Sequence, residues 1–230
     1  RGLDALEYVL FKDDVSAECA SNIAGFENGG FWDGLSDVER REARAIYAVQ
    51  AAENLATLGQ SLVARWDGTE GDFLAELTGP GGSDSRFDSA GEAVNAVSDA
   101  LFYVEKQTKD IKLAQPVGLS SNTCGGGICA EDVESPWSRT SKDNIRNNFL
   151  AFQAMYLGNA PGEPSGPGFQ DFIAQVGGTN VASILAGNTE DAIASVSDRN
   201  MPQTLSATLA QSPGLVESAH TAAKTVTDQL

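Results

Sequence analysis

The chain has 230 residues, 41% of them apolar, which is enough for one large domain or two small ones with a real core. A formal charge of −17 excludes a nucleic-acid role, which needs clustered Lys and Arg, and repels anionic lipid surfaces, while leaving cation binding open. No run approaches the ~20 apolar residues of a membrane helix, and no secretory signal is recognisable.

The first residue is Arg1, and it leads straight into a helical pattern, so a further segment is expected ahead of it. In "RGLDALEYVLF", Asp4, Glu7, Tyr8 and Phe11 share one helical face, and Leu3, Leu6 and Leu10 share the opposite one. Asp4 and Glu7 are adjacent on that face. They could complement the helix dipole, bind a hard cation, or act as an acid/base pair.

From Ser36 a long helix opens with the capping box Ser36-x-x-Glu39 and runs to Trp66. Ala51, Leu55, Leu58, Leu62 and Trp66 form one apolar stripe; Ile46, Val49, Ala56 and Val63 form a second. A helix apolar on two sides is expected to pack on two sides, as in a bundle. Residues 79–86, "GPGGSDSR", are turn chemistry and mark a domain boundary near residue 83. A second long helix is predicted from about Asp88 to Leu113, with Val94, Val97, Leu101 and Val104 on one face.

The stretch Pro116–Glu134 reads as irregular and contains "CGGGIC". Of the three cysteines, Cys124 and Cys129 lack the second pair or the histidines of a zinc site and exceed Cys-x-x-Cys redox spacing. Three glycines let so short a loop close, so a local Cys124–Cys129 disulfide is expected, with an oxidising, periplasmic or extracellular compartment. Cys19 is left over. A helix follows from Ser141, its expected cap, to Gly158, its expected stop, with the stripe Ile145, Phe149, Phe152 and Tyr156. Shorter helices are predicted over 169–176 and 180–197, and a last one after Pro213-Gly214. The fold class is therefore all-α, in two bundles, 1–82 and 84–230, the first of them incomplete.

Standard catalytic sets fail. His220 is the only histidine, which rules out a His-x-x-x-His zinc helix and a bis-His haem within the chain. No Gly-x-Ser-x-Gly elbow, Walker loop or dinucleotide fingerprint occurs, and no catalytic residue is assigned. Besides the opening helix, one chemistry-bearing stretch remains, "ESPWSRTSKDN". It gathers Glu134, Ser135, Ser138, Arg139, Ser141 and Asp143 around a helix start, where backbone N–H groups favour anions. It reads either as an elaborate helix cap or as a ligand site.

Together these stretches resemble the imelysin family, bacterial periplasmic or lipid-anchored proteins historically classed as metallopeptidases. "RGLDALEYVLF" resembles the helix bearing the family's Gly-x-His-x-x-Glu motif. "ESPWSRTSKDNIRNNFLAFQAMYLG" is similar to the Ser-rich turn and helix of its second half, and "RREARAIYAVQAAENLATLGQSLVARW" to the helix after the motif. The resemblance spans nearly the whole chain. It implies two helical bundles sharing a polar site, a lipid anchor or further helices ahead of this chain, and a link to bacterial iron acquisition. Gly2 matches the motif glycine and Glu7 its glutamate, while Asp4 occupies the histidine position. That change removes a nitrogen ligand and shifts preference toward harder, oxygen-loving cations, divalent or ferric.

The expected site therefore comprises Gly2, Asp4 and Glu7 with Glu134, Ser135, Ser138, Arg139, Ser141 and Asp143, Asp4 and Glu7 being the metal ligands. The expected ligand is a cation or a small iron-related molecule, bound without chemistry, with outer-membrane or periplasmic uptake proteins as partners. The alternatives are a metal-dependent peptidase and a pure interaction module for an uptake partner.

Overall fold

A computed structural model describes residues 2–15, 31, 32, 34–83, 85–159 and 166–230. Cys19 lies outside these residues. Every regular element among the described residues is helical, and none of these helices is long and apolar enough to cross a membrane. The chain divides into two compact units, Arg1–Ala90 and Gly91–Leu230.

The first unit is built on α1 (Leu3–Phe11), α2 (Asp37–Trp66) and α3 (Phe73–Thr78). α2 starts where the capping box places it. Ser36 Oγ accepts from the Glu39 N–H, and the Ser36 N–H donates to Glu39 Oε2 at 2.8 Å. That hydrogen bonding also holds the Glu39 carboxyl below the usual carboxylate range. The expectation of two packed faces is not met. Only Ala48 of α2 is buried, and Ile46, Val49, Leu58, Leu62 and Val63 are each more than half exposed. The reason lies in what faces it: a nine-residue α1 and a six-residue α3 are too short to cover a thirty-residue helix. The leucine stripe of α1 is likewise open at Leu3 and Leu10.

α3 lies between the predicted 36–66 helix and the 79–86 turn, in a stretch to which the sequence reading gave no element. Asp72 caps it by accepting from the Ala75 N–H, and Phe73 sits edge-on to Trp66 at 4.8 Å and to Phe87 at 6.2 Å.

The second unit holds α4 (Ala90–Leu101), a π-helix (Val104–Ala114), α5 (Gln115–Val117), α6 (Ser141–Leu157), α7 (Phe169–Gln175), α8 (Thr179–Ser195), α9 (Leu205–Gln211) and α10 (Pro213–Thr227). The single helix expected over 88–113 is thus two. α-Winding stops at Leu101, and wider i→i+5 winding carries the chain from Val104 to Ala114. Burial explains the change. Val104, Thr108, Leu113 and Val117 are buried, spaced four, five and four apart rather than 3.6, while Ile111 is exposed.

The core lies among α6, α8, α9, α10 and the π-helix. Phe149, Tyr156, Leu185, Leu205, Leu209, Val216 and Val226 are fully or almost fully buried. On α10 the inward positions are Val216, Ala219, Ala223 and Val226, spaced three, four and three apart, and the two alanines allow close approach to α8 and the π-helix. Phe152 and Tyr156 stack at 5.9 Å, and the Tyr156 hydroxyl donates to the Ala182 carbonyl at 3.0 Å. α6 ends as expected at Gly158, in the left-handed region at φ 68°. α9, capped by Thr204, has no counterpart in the sequence reading.

His220 sits half-buried on α10. Burial lowers its pKa below the ordinary value, and the positive charge of Lys109 adds to that, with Asp110 opposing. The folded state therefore resists the proton that the unfolded chain accepts. Stability is complete above the ordinary histidine pKa and falls as the pH drops through it. Urea midpoints should decline from pH ~7.5 to ~5.5, and His220→Gln should flatten that decline.

Cys124 and Cys129 are joined as expected, with Cα atoms 5.7 Å apart. The loop they close is fastened at both ends. The Cys129 N–H donates to the Pro116 carbonyl at 2.8 Å, and Thr123 donates to the Asp132 carboxylate through Oγ1 (2.6 Å) and its N–H (3.0 Å). Asn122 Nδ2 also donates to the Gly127 carbonyl at 2.6 Å. The strap from Gly118 to Val133 is in this way fixed before it reaches Glu134.

Candidate functional site

In the first unit the site is organised by the start of α1. Gly2 adopts φ 108° and ψ −170°, a conformation reserved almost wholly to glycine, and it offers no side chain to cap the helix. Asp4 stands in the first turn, where its charge complements the positive end of the helix. Asp4 is exposed and Glu7 is half-buried.

A cavity of about 330 Å³ opens beside Gly2, lined by Gly2, Tyr47, Gln50, Ala51 and Asn54. Tyr47, Gln50 and Asn54 are three and four residues apart on α2, so they share a face and present one phenol and two amides. Sequence reading missed all three, because they fall between the apolar stripes where polar residues look merely solvated.

α1 is held on α2 by Arg44. Its guanidinium donates to the carbonyls of Tyr8 (2.8 Å), Lys12 (2.7 Å) and Asp14 (2.9 Å) and lies 5.7 Å from the Tyr8 ring centroid. A cation at the carbonyl end of a helix is favourable in itself, and this one ties the end of α1 to α2.

In the second unit, residues 134–143 form a tightly bonded turn. Ser135 (φ 51°) and Arg139 (φ 62°) both lie in the left-handed region, each costing about 1–2 kcal/mol for a residue with a Cβ. Local bonds offset that cost. The Arg139 N–H donates to the Ser135 carbonyl at 3.1 Å, and the Ser138 and Thr140 hydroxyls are 2.9 Å apart. Asn144 Nδ2 donates to Ser135 Oγ at 3.3 Å.

Ser141 does not cap α6. Thr140 occupies the cap position without a side-chain bond to the helix, and the Ser141 hydroxyl donates back to the Glu134 carbonyl. The side chain is turned inward because Ser141 is buried, out of reach of the helix's own first amides. Arg139 and Asp143 are exposed.

Two lysines hold this turn, and neither was foreseen. Lys112 Nζ lies 3.0 Å from Glu134 Oε1 and 5.7 Å from the Tyr103 ring centroid. Lys142 Nζ bonds the Asp198 carboxylate and the Met201 carbonyl (2.9 Å), drawing the first turn of α6 onto the segment before α9. The hydrogen bond from Lys142, and then its charge, keep the Asp198 carboxyl below the usual range. Lys112 falls on the α-helical face of Val94 and Leu101, and its charge hid it from a search for apolar positions.

Of the predicted residues, Gly2, Asp4 and Glu7 belong to α1 of the first unit, and Glu134, Ser135, Ser138 and Ser141 form one bonded cluster in the second. Among the described residues, no group of three or more His, Cys, Asp or Glu is placed to hold a metal ion. A catalytic zinc needs three protein ligands and a caged calcium six to eight oxygens, so these residues do not assemble either centre. The first unit offers two carboxylates on α1 and, beside Gly2, a cavity lined by neutral donors and acceptors, with neither carboxylate among its described lining residues. That suits a small polar ligand or a cation that keeps much of its water.

No curated protein and no solved structure matches the chain. The model of the imelysin family, a peptidase family, matches it over residues 1–230. An all-helical fold among the described residues and a match over the entire length lead to one conclusion: the chain belongs to the imelysin family.

Proposed function

We propose that this imelysin-family chain binds a cation or a small iron-related ligand in support of metal uptake, facing the periplasm and performing no chemistry of its own. Asp4 and Glu7 are the primary contacts, and the Glu134–Asp143 turn is a second binding surface. The observation that carries the reading is the cavity at Gly2, where an uncapped helix start and the amides of Gln50 and Asn54 border the motif helix that presents both carboxylates. The Cys124–Cys129 disulfide supports an oxidising compartment.

The test is metal content and thermal stabilisation with Fe²⁺, Fe³⁺, Zn²⁺, Mn²⁺, Cu²⁺ and Ca²⁺, set against Glu7→Ala. The expected outcome is a saturable shift that the substitution abolishes; a shift of equal size in Glu7→Ala, or none with any ion, sinks the reading. Membership of a peptidase family favours a second reading, a metal-dependent peptidase. It would show as chelator-sensitive cleavage of a peptide library, lost in Glu7→Gln. An interaction module for an uptake partner would instead tolerate substitution of both Asp4 and Glu7.

A further inference from the structure

The two ends of the Cys124–Cys129 disulfide stand in different surroundings. Cys124 is exposed, whereas Cys129 has no exposed surface. The loop beyond Cys124 is also open: a Cβ added at Gly125, Gly126 or Gly127 would meet nothing within 4 Å. A thiolate opens a disulfide by attacking one sulfur in line with the S–S bond and expelling the other, so access decides which end is attacked. The approach to Cys129 is closed by the protein around it. The approach to Cys124 starts from water.

Hydrogen bonding adds to the difference. Thr123 Oγ1 donates to Asp132 Oδ1 at 2.6 Å and lies 3.4 Å from Cys129 Sγ. With its proton committed to the carboxylate, the hydroxyl turns a lone pair toward that sulfur. It can accept from a Cys129 thiol but has no proton to give a thiolate. The thiolate is the nucleophile, so a reduced Cys129 is held in its unreactive form. The bonds that seat Cys129 use no sulfur and outlast reduction: its N–H donates to the Pro116 carbonyl at 2.8 Å, and Asn122 Nδ2 donates to the Gly127 carbonyl at 2.6 Å.

We propose that Cys124 is the sulfur through which this disulfide exchanges with an external thiol–disulfide couple, and that Cys129 is the resolving sulfur. In closure, the Cys124 thiolate attacks one sulfur of the external disulfide. A mixed disulfide forms on Cys124, and the departing thiolate takes up the proton that Cys124 lost. Cys129 then attacks Cys124 Sγ, the internal bond forms, and the second external thiolate leaves with the proton from Cys129. Two protein thiols are oxidised, and one external disulfide is reduced to two thiols. The second step succeeds at a buried sulfur because its target is held beside it, at high effective concentration. Reduction retraces the path and begins at Cys124. The exchange is independent of the role proposed for Asp4 and Glu7.

The experiment uses the full chain carrying Cys19→Ser, which leaves these two as its only cysteines. Reduced protein is mixed with glutathione disulfide and quenched with N-ethylmaleimide at intervals. The tryptic peptide 113–139, which holds both positions, is then sequenced by mass spectrometry. Glutathione should appear on Cys124 and give way to the internal disulfide. Cys129→Ser should retain the adduct on Cys124, and Cys124→Ser should acquire one more slowly by about tenfold or more. A second measurement needs neither of these variants: limiting iodoacetamide should alkylate Cys124 first in the folded reduced chain, and both cysteines alike in concentrated urea. Glutathione arriving first on Cys129, equal rates in the two variants, or equal alkylation without urea overturns the proposal. So does a Cys124 that takes up no glutathione in either the reduced chain or Cys129→Ser.

Discussion

Phe149→Ala is expected to lower the unfolding free energy by about 3–5 kcal/mol, read as a fall in the urea midpoint at unchanged m-value. Phe149 has no exposed surface and sits in the middle of α6, inside the cluster that also contains Ile145, Tyr156, Leu185 and Leu209. Removing the ring forfeits its transfer from water and leaves a void that its neighbours, themselves buried, can only partly fill. A loss of that size is a large share of the ~5–15 kcal/mol that typically holds a domain together. Phe172 provides the control. It is a phenylalanine on α7 with more than half its surface in water, and Phe172→Ala should change stability by no more than about 0.5 kcal/mol. Equal losses at both positions would contradict the core described above.

Gly118→Ala is expected to cost more than about 2 kcal/mol and to loosen the disulfide loop. Gly118 ends α5 at φ 84°, so any Cβ meets the left-handed penalty first. It then meets the chain itself: a Cβ there would stand 2.4 Å from the Gly127 carbonyl oxygen, and backbone cannot move aside as a flexible side chain does. Gly125 separates the two effects. Its φ is 79° and nothing lies within 4 Å of an added Cβ, so Gly125→Ala should cost only the conformational term, ~1 kcal/mol. The difference between the two substitutions measures how firmly the loop is seated against Gly118. Limited proteolysis within residues 119–128 gives the second readout, with faster cleavage expected for Gly118→Ala than for Gly125→Ala.

What the sequence disclosed was local. Ser36 and Glu39 announce their helix because both partners lie within one turn, and Gly158 announces an end because a left-handed residue there needs no Cβ. The Cys124–Cys129 pair could be inferred because three glycines leave a short loop few obstacles to closing. The Ile145, Phe149, Phe152 and Tyr156 stripe was legible because α6 keeps α-periodicity and buries that face.

The failures share a cause of the opposite kind. Ser141 has the composition of a cap, yet a tertiary demand, burial beside the Glu134 carbonyl, outcompetes the local bond. Lys112 is in α-helical phase with Val94 and Leu101, but a charged residue reads as solvated until Glu134, distant in sequence, is seen to pair with it. Tyr47, Gln50 and Asn54 carry no signature individually and become a cavity wall only once α1 is laid against α2. The stripes of α2 mislead in yet another way: periodicity reports which faces are apolar, not what is there to cover them.

The π-helix also bears on how this chain can change in length. Each wide turn between Val104 and Ala114 spends one residue more than an α-turn would need. A residue lost there can be absorbed, because one turn tightens to α geometry and Leu113 and Val117 stay nearly in phase with the core. α6 has no such surplus. The same deletion ahead of Phe149 would rotate everything after it by roughly 100°, carrying Phe152 and Tyr156 away from the interior. The π-helix is therefore the buried helix of this unit that can absorb a one-residue deletion, and α6 is one that cannot.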